Sequence, residues 1–62
     1  MDLVDRISAY EEGRLSSEET TALFQDLINS GLVWELQGSY TRMAHYLLRA
    51  GLCSLPATPP PT

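Results

Sequence analysis

Apolar side chains recur every three or four positions in three short stretches, and a glycine closes each stretch. Leu3, Val4, Ile7 and Tyr10 fall on one stripe of a helix, with Asp2 placed to cap its start and Gly13 to stop it. The polar side of that helix carries Asp5, Ser8 and Glu12. The second stretch has the clearest beginning. Ser16 and Glu19 form the S-x-x-E pattern of a capping box, in which each side chain satisfies the other residue's free backbone N–H. Thr20, Leu23, Phe24, Leu27 and Ile28 supply its buried stripe, and Gly31 suits a left-handed C-terminal cap.

The third helix is predicted from Ser39 as cap to Gly51, burying Tyr40, Met43, Ala44, Leu47 and Leu48, with Leu52 packing back after the cap. Between the second and third helices, residues 32–37 read equally as strand or as irregular connector. Val33, Trp34 and Tyr40 favour strands and Gln37-Gly38 suits a tight turn, so a short β-hairpin over residues 32–40 stands beside the all-helical reading. Beyond Cys53 the sequence SLPATPPPT has little to bury, and prolines 59–61 cannot extend a helix. The expectation is therefore a mostly α, compact three-helix domain over residues 1–53, followed by a flexible Pro-rich tail over 54–62.

Composition narrows what such a domain can do. Sixty-two residues make one small domain with a thin stability margin, too little chain for a deep, water-free pocket. No apolar run is long enough to span a membrane, and no basic segment precedes an apolar one as in a signal peptide. The single Cys53 cannot form an internal disulfide, which suits a reducing cytoplasm.

The chemistry of a site is sparse. No calcium-loop pattern is present, and His45 with Cys53 are too few ligands for zinc, so neither metal nor cofactor is expected. His45 and Cys53 lie eight residues apart with no third group to orient the imidazole, so a Cys–His nucleophile is not expected either. The carboxylates fall on outer faces and helix starts, where they stay ionised, which argues against acid–base catalysis. The expectation is a protein that is not an enzyme.

Charge is unevenly spread. Residues 1–26 hold seven acids and two arginines, a balance of −5, whereas residues 27–62 hold one acid and two arginines, a balance of +1. Arg42, His45 and Arg49 recur at helical spacing, but two arginines are too few to bind duplex DNA against eight acids. These three side chains instead pair with the acidic helices or mark the edge of an interface. Acids three, four or seven residues apart share a side of a helix. Asp5, Glu11, Glu12, Glu18, Glu19 and Asp26 are accordingly the candidate partner-binding set, an array whose charge density approaches that of a nucleic-acid backbone. The alternative is an acidic face that only solvates the domain. Trp34, Tyr40 and Tyr46 are the secondary candidates, as aromatic anchors.

The run from Tyr10 to Leu52 also resembles a family of very small bacteriophage proteins. The likeness is carried by Tyr10-Glu11 with Gly13, Leu15 through Glu19, Leu23-Phe24-Gln25, Gly31-Leu32, and Trp34 through Gly38 with Tyr40 and Arg42. The family pattern brings no catalytic residue with it. In size, acidity and lack of a catalytic signature the chain also resembles, as a class, the anti-CRISPR inhibitors of phages. That likeness implies a bacterial cytoplasmic location and a partner such as a Cascade subunit, whose basic nucleic-acid-binding surface a DNA mimic would occupy. A monomer that touches neither nucleic acid nor membrane is expected. The competing expectation is a phage adaptor or transcription-modulating module that binds a host protein through an aromatic and apolar patch.

Overall fold

A computed structural model describes residues 2–56. It contains α1 (Leu3–Glu11), α2 (Ser17–Ser30), a 3-10 turn (Leu32–Glu35) and α3 (Gly38–Arg49). The fold is mostly helical, as the periodicity predicts, and α2 lies at its centre, packed against α1, the 3-10 turn and α3. Leu23, Phe24, Leu27 and Ile28 of α2 are all fully buried, each stabilising the fold by about 1.5–3 kcal/mol through removal of apolar surface from water. Val33, Tyr40, Ala44, Leu47 and Cys53 complete that core from the other elements.

The helix ends follow local chemistry. The capping box forms: the Ser16 hydroxyl accepts the Glu19 N–H at 3.1 Å, and the Glu19 carboxylate accepts the Ser16 N–H at 2.9 Å. α1 and α3 both end in the paired-bond reversal that a left-handed glycine allows. Gly13 (φ 74°) donates to the Tyr10 carbonyl and Arg14 to that of Ala9. Gly51 (φ 76°) donates to Leu48 and Leu52 to Leu47 in the same way.

Several expectations are corrected. No hairpin forms over residues 32–40. Gly31 ends α2 in the left-handed region and accepts the Trp34 N–H at 3.3 Å, which winds Leu32–Glu35 into a 3-10 turn. That turn drives Val33 into the core, a burial that an isolated two-stranded hairpin could not match. Tyr40 lies in the first turn of α3, not on a strand. Helix α3 begins at Gly38 with Gln37 in the cap position, so Ser39 lies inside the helix and caps nothing. Asp2 occupies the cap position of α1 but makes no side-chain capping bond.

Two apolar assignments also change. Val4 is 72% exposed, because the stripe that α1 presents inward is narrow: Leu3, Ile7 and Tyr10 are half-buried and Ala9 is buried in place of Val4. After Gly51, Leu52 is turned outward and Cys53 fills the core position. Ser54, assigned by the sequence to the tail, is held to α2 by the amide of Gln25, which accepts its N–H at 2.9 Å and donates to its carbonyl at 2.8 Å. The remainder of the tail from residue 57 on, including prolines 59–61, lies outside the described residues.

Candidate protein-interaction surface

The acids sort into three groups according to how α1 and α2 meet. Asp5 in α1 and Glu12, the residue that caps its C-terminus, are seven residues apart, about two helical turns, and both are exposed. The reversal at Gly13 brings the start of α2 back alongside α1. Asp5, Glu12 and Glu19 therefore line one shallow cleft, about 450 Å³, with Arg14 as its only basic group. Three carboxylates face one guanidinium there, and the Arg14–Glu12 contact is loose, 3.6 Å between two exposed side chains.

Glu19 is held rigidly within this cleft. The hydrogen bond from the Ser16 backbone, and then the Ser16 hydroxyl, push its pKa below the usual glutamate value, so it stays ionised. Its charge is available to a partner while its conformation is already committed to the capping box.

Glu11 points elsewhere. Its carboxylate accepts the Tyr40 hydroxyl at 2.6 Å, tying the end of α1 to α3. Burial, followed by the hydrogen bond and charge of Glu11, pushes the Tyr40 phenol up to about 12. The ring of Tyr40 stacks on Phe24 at 5.9 Å and lies 5.7 Å from Tyr10, so three aromatics converge behind the Glu11 bond. Asp26 is paired with Arg6 at 2.6 Å, which joins α1 to α2 and cancels much of its field. Glu18 lines a different depression, which runs along α2 beside Leu52.

Of the six acids, the fold thus gathers Asp5, Glu12 and Glu19 and disperses Glu11, Glu18 and Asp26. The Arg6–Asp26 and Glu11–Tyr40 pairs span 20 and 29 residues, and no local pattern in the sequence signals them.

The aromatic candidates divide as well. Tyr40 is 6% exposed and belongs to the core, so it cannot anchor a partner. Trp34 is 42% exposed and leans on the imidazole of His45, ring centres 5.6 Å apart. Tyr46, at 60%, is the most open aromatic.

His45 is on the exposed side of α3, whereas Cys53 is buried with its thiol directed at the Thr21 carbonyl, 3.5 Å away. Burial raises the Cys53 pKa, which keeps the thiol protonated and a poor nucleophile. Among the described residues, no group of three or more His, Cys, Asp or Glu is placed to hold a metal ion. No helix among them is long and apolar enough to cross a membrane.

Over residues 1–59 the sequence matches the family model described as Domain of unknown function (DUF7417). No curated protein and no solved structure matches the chain.

Proposed function

We propose that this chain, which belongs to the DUF7417 family, is a non-enzymatic inhibitor that occupies a basic nucleic-acid-binding surface on a host protein. The observation that carries this reading is the cleft where Asp5, Glu12 and Glu19 stand together against a single arginine. A partner surface lined with Lys and Arg, built to hold a phosphate backbone, is attracted to such a patch at long range and can match it at contact. In the fullest form of the proposal the protein is encoded by a phage and acts in the bacterial cytoplasm as an anti-CRISPR. Its target there is a Cascade-type subunit, which it prevents from engaging DNA.

The roles of the six acids follow from their surroundings. Asp5 and Glu12 are the primary contacts, and Glu19 is a preset third charge. Glu11 and Glu18 add to the general field from other faces. Asp26 contributes least, because Arg6 neutralises it.

The test begins with capture of partners from a bacterial lysate, followed by competition with duplex DNA on whatever is retained. The double substitution Asp5→Lys with Glu12→Lys should weaken capture by about tenfold or more, and raised salt should do the same to the unsubstituted protein. Asp5 lies in the first turn of α1, so reversing its charge costs roughly 0.3–1 kcal/mol of stability and should leave the fold intact. Undiminished capture by the folded double variant overturns the mimic.

A second reading is favoured by the exposure of Tyr46 and Trp34: an adaptor or transcription-modulating module that binds a host protein through those aromatics. Binding that is indifferent to salt but lost on Tyr46→Ala would select it.

A further inference from the structure

Three depressions along α2 and α3 run into one another, and among the described residues they share only Leu15 with the acidic cleft. The first, beside the start of α3, shares Tyr10, Met43 and Tyr46 with the second. The second shares Ser17, Thr21 and Leu52 with the third, which runs along α2. Among the described residues the first and third share none, so they form the two ends of one continuous groove. Its middle is mainly apolar, with Leu15, Met43 and Leu47 beside the hydroxyls of Ser17, Thr20 and Thr21, and it exposes Tyr46 together with Leu52, which is 55% accessible. Its ends are oppositely charged: Arg42 lines the first depression and Glu18 the third. Neither makes an ion pair among the described residues.

We propose that this groove is a self-association face, and that its occupant is a second copy of the chain related by a two-fold axis. In a two-fold interface each residue i meets j of the partner while j meets the partner's i. A groove with a cation at one end, an anion at the other and an apolar centre is self-complementary under that operation. Arg42 of each copy faces Glu18 of the other, and the Tyr46–Leu52 surfaces bury each other between them. The apolar centre provides the driving force, and the charged ends set the register and orientation. A partner of a single charge would satisfy only one end and leave the other opposed or unpaired. Asp5, Glu12 and Glu19 line none of the three depressions, although Leu15 borders both the groove and their cleft.

The test is light scattering coupled to size exclusion, or sedimentation equilibrium, on the full chain from micromolar to millimolar concentration. Wild type should pass from monomer to dimer within that range. Tyr46→Ala should weaken the dimer about tenfold or more, as expected for loss of a central aromatic. Glu18→Arg should set two arginines against each other at both ends, and Arg42→Glu should set two carboxylates against each other. Each single variant should therefore remain monomeric where wild type is dimeric, with circular dichroism unchanged. An equimolar mixture of the two should recover a dimer, since each copy then offers the other two opposite charges. That recovery cannot arise from a defect in folding. Wild type that stays monomeric to millimolar concentration overturns the proposal, as does a dimer that ignores Tyr46→Ala or a mixture that fails to reassociate.

Discussion

Tyr40→Phe isolates the bond that fastens α1 to α3. The substitution keeps the ring, and with it the contacts to Phe24 and Tyr10, so it opens no cavity. It removes one hydrogen bond of 2.6 Å to a carboxylate. Bonds to charged groups contribute about 1.5–3 kcal/mol net. Glu11 is exposed and regains water when the hydroxyl is gone, so the loss should fall at the low end, about 1.5 kcal/mol. In a domain of this size that corresponds to roughly 6–12 °C in Tm.

The pH dependence supplies an independent check. The phenol titrates at 10.0 when unperturbed and at about 12 in the fold. Its contribution is therefore constant below pH 10, because both states carry the proton. Above that, the unfolded chain ionises first, and stability falls as pH rises toward about 12, by up to ~1.4 kcal/mol per pH unit. Urea melts of wild type and variant from roughly pH 8 to pH 11.5 should converge at the alkaline end, since only wild type carries the Tyr40 phenol. Glu11→Gln should reduce the alkaline loss without abolishing it, because burial is the larger cause of the shift. Parallel alkaline losses in wild type and Tyr40→Phe, or equal stability near neutrality, would refute the assignment.

The other predictions concern the remaining ties between elements. Ser16→Ala removes one half of the capping box and should cost about 1 kcal/mol by urea melt. Because Glu19 is held below its ordinary 4.5, its share of that stability is complete above about pH 4.5 and is lost as pH falls through the lowered value. Ser16→Ala should flatten the acid limb of the stability profile only in part, because it keeps the backbone N–H that is the larger cause of the lowering. Gln25→Ala removes both bonds that hold Ser54 on α2 and should speed thiol labelling of Cys53 about tenfold, with global unfolding much less affected. A double-mutant cycle on Arg6 and Asp26 should give a coupling of about 0.5–1 kcal/mol, since Arg6 is partly buried and Asp26 is not. A value near zero would mean that Asp26 is free to join the acidic field.

Local features of the fold were legible because their causes lie within a few residues. The Ser16–Glu19 box, the glycine stops at 13, 31 and 51, and the buried i, i+3, i+4 pattern of α2 are short-range chemistry and appear in the structure where the sequence places them. The segment after α2 was not legible. Its composition suits a strand as well as a turn, and the decision rests on Val33 finding a space between α2 and α3, 0% exposed, which no local pattern encodes. The exchange of Leu52 for Cys53 has the same origin. Both are apolar, and only the direction of the reversal after Gly51 determines which one faces inward.

By itself, the sequence determined that this is a small, acidic, three-helix domain and where α2 begins and ends, because helix periodicity, caps and net charge depend on neighbours along the chain. It also determined that the acids crowd the first 26 residues. Tertiary structure alone decided which acids act together. The packing of α1 on α2 gathers Asp5, Glu12 and Glu19, pairs Asp26 with Arg6, and turns Glu11 to Tyr40. The physical reason is that a carboxylate's field and partners are set by distances through space, and for these side chains the decisive neighbours stand as many as 29 positions away.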